Sequence, residues 1–142
     1  MTRLTLDLAN RIVAAALDHG RALGLKPLTV AVLDPGAHVV ALQRQDGAST
    51  MRPAIAMAKA AGALGLGVSS RKIAEMAAER PTFVASLAGL TPHGVVPAAG
   101  GVIIAGDDGQ PVGAVGITGD LSDQDEACAL AGIAAAGLTA QS

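Results

Sequence analysis

Three histidines, one lysine set among alanines and an Arg-Gln-Asp triplet carry whatever chemistry this chain has beyond packing. His38 stands at the entry of a predicted strand, just past the turn Asp34-Pro35-Gly36. A neutral imidazole there can ligate a metal ion or move a proton, and it can equally bond its own backbone as a turn histidine. His93, in Thr91-Pro92-His93-Gly94, belongs to a loop and suits either a lid or an axial ligand. His19 falls in a helical apolar series near its C-terminal end, where a protonated ring complements the dipole. Arg44 offers a planar fork for a carboxylate, or a structural contact to Asp46 or the next helix. Lys59 lies amid Ala54, Ala56, Ala58, Ala60 and Ala61. Such a lysine either snorkels to solvent or sits in a pocket, as a base or against a carboxylate substrate. His38, Lys59 and Asp46 are the catalytic candidates.

Other chemistries are excluded. Gly113-Ala114-Val115-Gly116-Ile117-Thr118-Gly119 has glycines before a helix, but no P-loop lysine follows. Asp120, Asp123, Asp125 and Glu126 would repel a phosphate, so these glycines serve close backbone approach, of strand to helix or of subunit to subunit. Cys128 is the only cysteine, which rules out an internal disulfide and any multi-cysteine metal site; it reads as a small buried hydrophobe. Ten Lys and Arg against 12 Asp and Glu give a charge of −2, so no broad basic field for nucleic acid exists. The N-terminal stretch shows no long apolar run, and nowhere do about 18 apolar residues follow one another. A cytoplasmic protein without membrane or nucleic-acid partners is expected.

The elements that must position these residues follow from periodicity. Thr5 caps a helix carrying Leu8, Ile12, Ala15, Ala16, His19 and Leu23, stopped by Gly24. Residues 28–33 and 38–44 form an antiparallel hairpin around Asp34-Pro35-Gly36. A second helix runs from near Pro53 through Leu64, and a third, capped by Ser69 or Ser70, over 71–79 until Arg80-Pro81 closes it. Residues 83–99, rich in turn formers, remain unread. Residues 101–105 and 112–118 flank Asp107-Asp108-Gly109 as a second hairpin. Ser122 caps a last helix with Asp123, Asp125 and Glu126 in its first turn. Hairpins rather than crossovers predict an α+β fold on an antiparallel sheet, as a single domain over 1–142.

Five blocks in one order resemble a known family. They are Val32 through His38 with Arg44-Gln45-Asp46-Gly47-Ala48, Ala58-Lys59-Ala60, Gly100-Gly101-Val102-Ile103-Ile104, Gly109 through Gly119, and Gln124-Asp125-Glu126. The chain resembles the GlcG/HbpS family, also called the haem-degrading or PduO C-terminal-like family. Gln45 and Ile103 depart from its usual Met and Pro. The resemblance implies a profilin-like sheet with helices against it. It also implies haem binding, an accessory part in a catabolic operon, or a link to cobalamin metabolism.

Haem is therefore the leading ligand, with His38 as its metal ligand and His38, Arg44, Lys59 and His93 lining its site. The scarcity of aromatic residues, with Phe83 the single one, stands against a stacked macrocycle. The alternatives are a cofactor-free isomerase, hydratase or lyase acting on a small carboxylate, and a purely structural oligomeric accessory. Strand alternation puts His38, Val40, Leu42 and Arg44 on one face, with His38 and Arg44 roughly 20 Å apart at about 3.3 Å per residue. The two should not meet on one small ligand within one chain. The 51% apolar and 15% charged composition, low in charge against the roughly 25–35% expected of a small monomer's surface, predicts a homo-oligomer whose interface contributes to the site.

Overall fold

The computed structural model describes residues 2–142. Helix α1 (Leu6–Ala22) starts where Thr5 Oγ1 accepts from the Leu8 N–H, with Asp7 in its first turn. Strands β1 (Thr29–Leu33) and β2 (Val39–Arg44) form the first hairpin, and β3 (Gly101–Ala105) and β4 (Pro111–Thr118) the second. Helix α2 (Arg52–Leu66) and helix α3 (Ser70–Glu79) lie between the hairpins, and α3 is capped by Ser69, whose hydroxyl accepts from the Lys72 N–H. Helix α5 (Ser122–Ala135) and a two-residue strand β5 (Thr139–Ala140) end the described chain. The sheet order is β2-β1-β4-β3-β5 with every pair antiparallel, so pairing of β1 with β4 joins the two hairpins. The protein is α+β. No helix among the described residues is long and apolar enough to cross a membrane.

Three local departures from the sequence reading have physical causes. Pro81 does not merely end α3; it opens a further helix, α4 (Pro81–Leu87), continued by a 3₁₀ turn over Ala88–Leu90. Proline lacks only an N–H that the first helical turn leaves unpaired, so it starts helices as readily as it stops them. Ser122 lies inside α5 and does not cap it; the cap residue is Leu121, and Asp125 Oδ1 instead accepts from the Asp120 N–H. In β2, Leu33 faces Val39 while Val32 faces Ala41, so Val40 is an extra, bulged residue. A bulge resets the alternation. Val39, Leu42 and Arg44 share one face of the sheet, but Val40 packs with Ala41 on the core of the other, so the expected row of His38, Val40, Leu42 and Arg44 does not exist.

Helices α1 and α5 cover one face, where Ile12, Val13, Ala16, Cys128 and Ile133 pack on Val30, Val32, Val102, Ile104, Val115 and Ile117. Helix α2 covers the other, with Ala60 and Ala61 against Leu33 and Ala114. Gly101 and Gly116 are cross-strand partners beneath α2. A Cβ at Gly116 would collide with the Ala56 carbonyl, and one at Gly101 with that of Lys59. These glycines thus bring helix backbone onto sheet, the strand-to-helix branch of the sequence expectation.

Candidate functional site

The β1–β2 turn builds the first wall. Asp34 Oδ1 accepts from the Gly36 N–H at 2.9 Å and the His38 N–H at 3.0 Å. The same oxygen lies 3.3 Å from His38 Nδ1. The backbone bond from His38 holds the Asp34 carboxyl below its ordinary value of 3.8, with burial acting the other way and the Gly36 N–H adding to the lowering. Ala37 adopts φ 66°, a left-handed conformation without a glycine's freedom, and so turns the chain sharply into His38. The imidazole itself is 82% exposed.

A second wall comes from the C-terminal half of α2 and a third from the segment after the 3₁₀ turn. Together Ala37, His38, Ala61, Leu64, Leu90 and His93 line an open cleft of about 340 Å³. The loop that carries His93 is closed by Thr91, whose hydroxyl accepts from the Gly94 N–H at 2.9 Å and donates to the Gly94 carbonyl at 3.1 Å. A smaller cleft of about 110 Å³, lined by Leu66, Leu87 and Val95, shares Gly65, Leu90 and Thr91 with it. The structure therefore brings His38 and His93 together across mainly aliphatic walls.

It does not bring the other candidates there. Lys59 is 3% exposed, and its ammonium donates to the Ile117 carbonyl at 2.9 Å and pairs with Asp125 Oδ2 at 3.3 Å. Neither a snorkelling nor a pocket lysine, it joins α2 to α5 through an internal ion pair. Burial pushes the Lys59 ammonium below its ordinary value and the Asp125 carboxyl above its own, while their mutual attraction opposes both shifts. Arg44 donates to the Ala48 carbonyl at 2.9 Å. With Asp46 it lines a separate cleft of about 500 Å³ near Leu17 and Arg21. His38 and Arg44 thus sit on different clefts, and neither of these two clefts unites His38, Lys59 and Asp46. His19 lies in the last turn of α1.

Cys128 is buried, and burial first, then the charges of Asp125 and Asp120, push its thiol up to about 11. A further cleft of about 770 Å³, between the two hairpin turns, is lined by Asp34, Asp107, Asp108 and Arg3 and by none of the histidines. Among the described residues no three His, Cys, Asp or Glu side chains group to hold a metal ion. The residues that sequence reasoning missed are Leu64 and Leu90, which wall the histidine cleft, and Asp125 as the partner of Lys59. The one available signal for Asp125 was its place in the Gln124-Asp125-Glu126 block.

An antiparallel α+β fold with an open, mainly aliphatic cleft that carries two imidazoles has the geometry of a small-ligand site. The family model described as haem degrading protein HbpS-like matches residues 4–134, and the chain belongs to that family. Nothing among curated protein sequences matches it. Among solved structures it is similar to HbpS, at 30% identity and a TM-score of 0.80 over 94% of this chain and 90% of that one. A PduOC–haem complex superposes with a TM-score of 0.87 at 21% identity, over 99% and 100% of the two chains. Protein ORFY of Klebsiella pneumoniae gives 0.82 at 24% identity, over 96% and 93%. The latter two likenesses concern the fold.

Proposed function

We propose that this protein binds haem in the cleft between the β1–β2 turn, the C-terminal half of α2 and the 90–93 loop, with His38 as iron ligand and His93 facing it. One observation carries the reading: two histidines far apart in sequence meet on one mainly aliphatic cleft. The donor chemistry fits, because imidazole is a ligand of haem iron and aliphatic walls suit a macrocycle. Family membership and the haem held by PduOC support it. Bound haem would supply an iron centre, and His38 is the residue that would hold it.

The chain's own residues do the rest. Leu64 and Leu90 exclude water from the cleft floor and rim, and the Thr91–Gly94 bonds hold His93 in place. Arg44 lines another cleft, so it would not be the residue that holds a propionate there. A cleft this open leaves part of a macrocycle uncovered by one chain. A second copy of the chain covers it, which makes the functional unit a homo-oligomer; Leu90, 75% exposed at the rim, is a contact available for that purpose.

Hemin titration followed by the Soret band tests the reading. Wild-type protein should saturate at a defined stoichiometry. His38→Ala should shift the band and weaken binding by at least about tenfold, roughly 1.4 kcal/mol. Uptake that is unsaturable, or identical in His38→Ala, His93→Ala and the double variant, would overturn it.

A further inference from the structure

We propose that Asp34 is the positioning residue for His38: its carboxylate faces Nδ1, favours hydrogen on that nitrogen and leaves Nε2 as the free nitrogen offered to the ligand. The inference rests on the haem reading for its use, but its geometry stands in the metal-free protein. Asp34 and His38 are tied to each other by the main chain as well as by the side chain. The Asp34 N–H donates to the His38 carbonyl at 2.9 Å, and Asp34 Oδ1 accepts from the His38 N–H at 3.0 Å. Pro35 and the left-handed Ala37 fix the turn between them. The spacing of 3.3 Å between Oδ1 and Nδ1 is thus set by the turn and not by packing of the ring, which is 82% exposed.

An ionised carboxylate only accepts hydrogen bonds, and a neutral imidazole carries one N–H. The facing pair therefore selects the tautomer with hydrogen on Nδ1. Nε2, on the far side of the ring, has no partner among the described residues. An exposed pair of this kind contributes little to stability. Behind a metal ligand the same pair fixes the ring and raises the basicity of the coordinating nitrogen.

Side-chain ¹⁵N spectra of the metal-free protein, at a pH well above the ordinary histidine range, read the tautomer directly. His38 should be mainly Nδ1–H in the wild type. Asp34→Ala should lose that bias, and Asp34→Asn, which keeps an oxygen for the two backbone N–H groups and so preserves the turn, should lose part of it. With haem bound, Asp34→Ala should weaken affinity by about 10–100-fold and raise the reduction potential, since a less basic imidazole favours the ferric state less. A wild-type ring that is mainly Nε2–H, or an unchanged tautomer ratio in both variants, overturns the proposal. If His38→Ala binds haem like wild type, the haem reading of His38 fails, while the tautomer measurement still decides the role of Asp34.

Discussion

Lys59 and Asp125 put the opposing terms of a buried ion pair side by side. Desolvation moves each group toward its neutral form, and their mutual attraction, with the Ile117 carbonyl on Lys59 and the Asp120 N–H on Asp125, opposes it. Removing one partner strands the other: Lys59→Met should cost about 3–5 kcal/mol of unfolding free energy, whereas replacing both by apolar residues is often neutral. Urea unfolding of Lys59→Met, Asp125→Leu and the double variant checks this. A Lys59→Met within about 1 kcal/mol of wild type, less than that penalty, would contradict it. Cys128 makes a second residue-scale case. With its thiol pushed up to about 11, iodoacetamide at mildly alkaline pH should leave the folded protein unmodified and label it promptly in urea. Fast labelling of the native protein is the contrary result. The oddity of Lys59 among alanines was legible in the sequence. Its partner was not, because Asp125 reads equally well as one of several acids that complement a helix N-terminus.

The elements explain the composition. Eighteen glycines and many alanines bury little side-chain area per residue, and the glycine pair under α2 shows their use. Gly116→Ala sets a methyl against the Ala56 carbonyl, a backbone atom with nowhere to move, and should destabilise by about 3 kcal/mol, the upper part of the range for overpacking. Thermal unfolding measures it, and an unchanged melting temperature would show that α2 can lift from the sheet. Hairpins were readable because Asp-Pro-Gly and Asp-Asp-Gly turns separate apolar runs, and α1 because its cap and period agree. The bulge at Val40 was not, since an extra residue leaves no mark in a Val-Val-Ala run. Helix α4 was hidden because Arg80-Pro81 is the same text for a stop and for a start, and the two residues of β5 are too few to show a period.

At the scale of the whole molecule, the histidine cleft exists only because the sheet brings three distant segments to one end, and no local pattern encodes that convergence. His38, His93 and Arg44 were each identifiable as chemically capable residues, while their partition between two clefts had to come from the fold. Self-association is the matching expectation. Light scattering at micromolar concentration should give a multiple of 13.9 kDa that grows or tightens with hemin; a mass of one chain across dilution and salt would refute it. The glycine floor beneath α2 has one more effect. Because the helix backbone rests on strand backbone at Gly101 and Gly116, with no side chains between to compress or repack, α2 behaves as a ruler laid against a stop. It cannot settle closer when a neighbour changes, and tilting or sliding would drive Ala56 and Lys59 into the strands. Leu64 and Gly65 at its far end therefore stand at a fixed height above the sheet. The cleft thus inherits its depth along α2 from backbone resting on backbone.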